Sequence, residues 1–117
     1  MADLYKQGDI VDINLGTPPN EVKGHEQGNT RPCVVFKSLE RLGLLIVIPI
    51  TGTEAKYSPF TIVELQAGSS NGLTKTSYAL CHQIRTVSTK RITKKRGAVT
   101  SRELNKIIAV LKDMLEI

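Results

Sequence analysis

The hydrophobic pattern of this chain changes period once, and that change limits the folds open to it. From Gly8 to Val87 the apolar residues come in short runs, and beyond Thr100 they recur at helical spacing. Leu104, Ile107, Ile108, Leu111, Met114 and Leu115 follow i, i+3, i+4 and i+7, one stripe of an amphipathic helix. Thr100-Ser101-Arg102-Glu103 stands before that stripe with capping-box spacing. The Thr hydroxyl and the Glu carboxylate can each satisfy an amide that the first helical turn leaves without a partner.

The upstream runs are strand-like. Gly8 to Leu15 alternates, with Val11, Ile13 and Leu15 on one face and Asp12 and Asn14 on the other, the pattern of a half-buried strand. Pro32 to Phe36 and the Val/Ile-rich Leu44 to Ile50 follow. The latter suits a strand buried on both sides, with Pro49 marking its end or an edge position. Phe60 to Leu65 is the next, and then Thr76 to Cys81 and Ile84 to Val87, either two short strands or one interrupted by a bulge. Turn-rich segments separate them: Thr53 to Pro59, and Ala67 to Thr74 with its Asn71-Gly72 signal. Gly16 to Thr30 is nearly free of apolar residues and reads as a long loop, of a length that compact domains keep for function. Short strands followed by one helix predict a mainly β fold with a C-terminal helix packed on a small barrel. At 117 residues the chain, 1–117, suits a single domain large enough for its own core.

The net charge is +5, which points to polyanionic partners, nucleic acid first. Cys33 and Cys81 each lie in an apolar run and read as buried core thiols. The opening Met1-Ala2-Asp3 leads into polar residues rather than a secretory apolar segment, and Leu44 to Ile50 is too short to span a bilayer. The expectation is a cytoplasmic protein with no membrane association.

Phosphate-loop, dinucleotide, zinc-protease and paired Cys-x-x-Cys motifs are absent from the sequence, and two separated histidines, His25 and His82, make no metal site. No metal or other cofactor is expected. The chemistry-bearing residues concentrate in Gly24-His25-Glu26-Gln27-Gly28-Asn29-Thr30-Arg31-Pro32, at the end of the long loop. Pro32 holds Arg31 extended at a strand mouth, where a planar guanidinium suits a phosphate. A surface arginine capping a strand is the competing reading.

This segment, with the Cys33-Val34-Val35 that follows, resembles the G-x-E-Q-x-G-x-R-P-hydrophobic signature of MazF/PemK toxins. Ile48-Pro49-Ile50-Thr51 resembles the P-[IV]-T element that ends their next long strand, and Gly8-Asp9-Ile10 their opening. His82-Gln83-Ile84-Arg85-Thr86 is similar to their D-Q-x-[RK]-[ST] segment. Arg91-Ile92, Gly97 and the helix complete the order. The resemblance implies an SH3-like barrel that forms a homodimer, cleaves single-stranded RNA without a metal and is restrained by a cognate antitoxin. It implies Arg31 and Thr51 as the principal catalytic positions. A guanidinium and a stiff hydroxyl donor suit the charge that gathers on phosphate oxygens when a ribose 2′-hydroxyl attacks. Guanidinium stays protonated, so the proton acceptor is open between His25 and Glu26. Gln27, Thr53, Tyr78, Gln83, Arg85 and Arg91 are the expected RNA contacts. Arg85, Lys90, Arg91, Lys94, Lys95 and Arg96 form a candidate backbone track, against the plainer reading of a solvated face before the helix. Tyr57 and Tyr78 are candidate stacking rings.

Three departures from the family pattern stand out: a lengthened loop from Gly16 to Gly24, His82 in place of an acid, and Leu80 where some members carry arginine. The competing functions are a gyrase poison on the same fold and a catalytically inactive RNA-binding barrel.

Overall fold

The computed structural model describes residues 3–16, 29–52 and 60–117. In chain order these contain β1 (Asp9–Asn14), β2 (Thr30–Leu39), β3 (Leu44–Thr51), β4 (Ile62–Leu65), β5 (Ser77–Leu80), β6 (Arg85–Ser88), β7 (Ile92–Ala98) and α1 (Ser101–Leu115). The strands form one antiparallel sheet in the order β4-β5-β3-β2-β1-β7, with β6 also on β3. Among the described residues no pairing joins β7 to β4 or β6, so the barrel-like sheet stays open at that seam. The fold is mainly β with one C-terminal helix, as the change of period predicts.

β3 is the hub. Along one edge it pairs with β2, from Leu39–Leu44 to Cys33–Pro49. Along the other it pairs first with β6, as far as Val47–Arg85, and then with β5 from Ile50–Ala79. Pro49 therefore sits inside an interior strand, not at its end or on a sheet edge. It falls in the gap between two partners, the place where a residue without an N–H is best tolerated. The link from β5 to β6 is a single 3₁₀ turn, Cys81–Gln83, so these are two strands.

Both faces of the central strands are buried. Ile10, Val34, Ile48 and Ile50 pack with Val63, Leu65, Ala79 and the helical Ile107 and Leu111. Val11, Ile13, Leu15, Cys33, Val35, Leu45 and Val47 pack with Val87. This corrects the half-buried reading of the first strand, in which Asp12 marked a solvent face. Asp9 and Asp12 are both buried, and each meets a cation from β7: Lys95 Nζ lies 3.2 Å from Asp9, and Arg96 Nε lies 2.6 Å from Asp12.

β7 is the element missed by hydrophobic patterning. Thr93-Lys94-Lys95-Arg96 has no apolar residue, yet it pairs with β1 from Ile13–Ile92 to Asp9–Ala98. Charges on an edge strand discourage pairing with other chains. β2 is longer than Pro32 to Phe36 at both ends and carries a bulge between Val35 and Lys37. β4 begins at Ile62, and Phe60 lies exposed.

α1 carries the expected capping box: Thr100 Oγ1 accepts from Glu103 N at 3.1 Å, and Glu103 Oε1 accepts from Thr100 N at 3.0 Å. The second oxygen of Glu103 accepts from Gln66 N, just beyond β4, at 3.0 Å. One carboxylate thus caps the helix and docks it. Leu115 departs from the apolar-face reading, being half exposed at the fraying end.

Candidate active site

Strand ends build the site. The Cys33–Pro49 pair on β2 and β3 is followed, two residues further on each strand, by Arg31 and Thr51. Arg31 also pairs with Ile13 of β1, and Thr51 with Tyr78 of β5. Arg31 is half-buried and Thr51 is buried, so both side chains have much of their motion removed by neighbouring strands. They share a cleft of about 180 Å³, whose walls also include Pro32, Gly52, Leu73, Thr74, Lys75, Ser77 and Arg96.

Arg96 is tied down there. Its Nε pairs with Asp12, and its Nη1 donates to the Gly72 carbonyl at 2.8 Å. The second contact holds the 67–74 turn against β7. Gly72 adopts φ +70, and a Cβ there would press on Arg96, so the turn approaches this closely only with glycine. Asn71 fixes the same turn from within: its Oδ1 accepts from Gly68 N and Leu73 N, and its Nδ2 donates to Gln66 O.

The remaining expected residues divide. Tyr78 is half-buried beside Thr51. Gln83 closes the 3₁₀ turn, and Arg85 opens β6 opposite Val47; both are half-buried and neither lines the cleft. Arg91 is exposed, and its Nη1 donates to Asn14 O at 3.0 Å, near where the chain leaves β1. His25, Glu26, Gln27, Thr53 and Tyr57 lie outside the described residues. The basic track is not a uniform solvated face, since Lys95 and Arg96 pair with aspartates while Lys90 and Lys94 are exposed. Lys75 and Ser77 are cleft residues that sequence reasoning passed over. Lys75 comes three residues after the Asn71-Gly72 turn, which reads only as punctuation.

Burial pushes the Cys33 thiol up to about 12, with Arg85 and Arg31 pulling the other way and Asp12 adding to the rise. Both guanidiniums are thus within electrostatic reach of Cys33. Burial also raises Cys81, to about 11, against a backbone hydrogen bond. Both cysteines are free and stay protonated near neutrality, so neither is an available nucleophile. A larger hollow of about 330 Å³ beside Tyr5, Lys6 and Lys37 holds none of the expected residues. No helix among the described residues is long and apolar enough to cross a membrane.

The family model for PemK-like, MazF-like toxins of type II toxin–antitoxin systems matches residues 6–115. The chain belongs to this family. It is 30% identical to the endoribonuclease MazF9 of Mycobacterium tuberculosis (strain ATCC 25618 / H37Rv), across 97% of this chain and 98% of that protein. Its fold is similar to the crystal structure of MazF from Deinococcus radiodurans, with TM-score 0.77, 23% identity and coverage of 99% and 100% of the two chains. It is also similar to a mycobacterial endoribonuclease solved with its cognate antitoxin, with TM-score 0.71, 21% identity and coverage of 95% and 94%. Two departures of this MazF-like toxin now have positions. Leu80 is fully buried in the sheet, so its side chain belongs to the core, and His82 is exposed on the 3₁₀ turn.

Proposed function

We propose that this MazF-like toxin is a sequence-specific endoribonuclease that cleaves single-stranded mRNA at the Arg31–Thr51 cleft without a metal. What supports the reading is a cation and a hydroxyl donor, supplied by neighbouring strand ends, in one cleft. The ribose 2′-hydroxyl loses its proton and attacks the adjacent phosphorus. The bond to the 5′-oxygen breaks and that oxygen takes up a proton, balancing the one lost, which leaves a 2′,3′-cyclic phosphate on one fragment and a 5′-hydroxyl on the other. Arg31 carries a permanent charge and several donors toward the non-bridging oxygens, and Thr51 adds a hydrogen bond on a stiff β-branched side chain. His25 and Glu26 are the candidates for taking the proton. Tyr78, Gln83, Arg85 and Arg91, with Gln27 and Thr53, are proposed to guide the RNA. A cognate antitoxin is proposed to neutralise the toxin, as the complexes of the mycobacterial and Deinococcus neighbours suggest, and the active form is proposed to be a homodimer.

Incubation of the purified protein with single-stranded RNA in chelator should release fragments ending in cyclic phosphate and 5′-hydroxyl. Arg31→Ala should slow cleavage by roughly 10²–10³-fold, the size of effect seen on removing one charge-stabilising donor. Undiminished cleavage by that variant would rule the mechanism out.

A further inference from the structure

We infer that Lys75 is an RNA-phosphate contact of the cleft, its stem laid across Gly52 next to Thr51. The inference deepens the reading of the cleft as the phosphodiester site and rests on it.

The first observation is how tightly the backbone around Lys75 is held. Leu73 N donates to Asn71 Oδ1 at 2.9 Å, and the Lys75 carbonyl accepts from the hydroxyl of the buried Ser77 at 2.9 Å. Arg96 holds the Gly72 carbonyl, three residues before Lys75. The lysine is therefore presented from a fixed base, although its side chain is long.

The second is where the side chain goes. A Cβ on Gly52 would fall onto the Lys75 Cε and lie 2.8 Å from its Nζ. The stem crosses the face of Gly52 and brings the ammonium beside the residue that follows Thr51. Gly52 shows no positive φ, so backbone conformation does not ask for glycine here. The open face of glycine leaves room for the Lys75 stem, whose flexible end is all that a Cβ there would displace.

The third is charge. Lys75, Arg31 and Arg96 all line this cleft. Arg96 is matched by Asp12, but among the described residues Lys75 forms no salt bridge with a carboxylate. Lys75 adds positive charge to this cleft, which favours a polyanion there. A compact ammonium on a flexible stem binds a phosphate as a point charge and does not read bases.

The test is the salt dependence of binding. The probe is random-sequence single-stranded 2′-O-methyl RNA, which lacks the attacking hydroxyl. Each phosphate contact on a single strand adds about −0.7 to the slope of log K against log salt. Lys75→Ala should flatten the slope by about that amount, Lys75→Arg should keep it, and melting should be unchanged because the side chain is solvent-exposed. A slope unchanged by Lys75→Ala overturns the assignment. If unmodified RNA is bound with these slopes but never cut, the nuclease reading fails and the Lys75 assignment stands. If RNA is cut while Lys75→Ala keeps the wild-type slope, only the Lys75 assignment fails.

Discussion

Glu40 shows how much one side chain far from the cleft can organise. Its Oε1 accepts from Leu4 N at 3.1 Å, and its Oε2 accepts from Tyr5 N at 3.0 Å and Ser38 Oγ at 2.8 Å. The chain start is thereby held on the β2–β3 turn, where Tyr5 packs on the second core. Desolvation pushes the Glu40 pKa up, but the hydrogen bonds from Tyr5, Ser38 and Leu4 together outweigh it and hold the carboxyl below its ordinary value. A pKa lower in the folded than in the unfolded chain gives stability that is complete above the unfolded value, about 4.3 for glutamate, and is lost as pH falls through the folded one. Glu40→Gln should therefore melt below the parent at pH 7, with the gap narrowing on acidification. Thermal melts at both ends of that range check this, and a gap independent of pH would assign the loss to something other than charge. At this scale ordered motifs pointed to Arg31 and Thr51, and the structure brings the two into one cleft. Lys75 carried no such signal, because it reaches the cleft only where the segment after the 67–74 turn meets the end of β3.

Among the elements, β7 carries the clearest lesson. Four polar residues in a row hold no periodic signal, and its strand character comes from its partner β1. Its cations do different work. Lys95 is half exposed in its pair with the buried Asp9, whereas Arg96 joins Asp12 and Gly72 from a mostly buried position. Removing Asp12 leaves a guanidinium without its counter-charge and loosens the turn that precedes Lys75. Asp12→Ala should cost roughly 1–3 kcal/mol, the range for losing a hydrogen-bonded charge, discounted because Arg96 keeps some solvent. Lys95→Ala should cost less, since an exposed ion pair contributes about 0–1 kcal/mol. Urea midpoints at constant slope would rank the two, and the reverse order would contradict the division of labour drawn between them. The helix was legible in detail because its cap and stripe are local. The burial of β1 on both faces was not, because the charged partners of Asp9 and Asp12 come from more than 80 positions later in the sequence.

Over the whole molecule, the mainly β architecture and its closing helix followed from short apolar runs and a single change of period. The strand order did not, since nothing local tells β3 to serve β6 and then β5. α1 packs Ile107 and Leu111 on this sheet, and Glu103 adds a polar link between the two. Its two oxygens accept from Thr100 N, at the helix start, and Gln66 N, just beyond β4. Fraying of the first helical turn and release of the helix from the sheet are therefore coupled through one side chain. Native-state hydrogen exchange should see them as one opening event: the amides of Gln66 and Thr100 should share a single protection factor, and Glu103→Gln should lower both together. Separate protection of the two amides would mean that the helix can slacken at its start while staying attached. If they move as one, the toxin has no half-docked state of this helix for a protease or a partner to exploit.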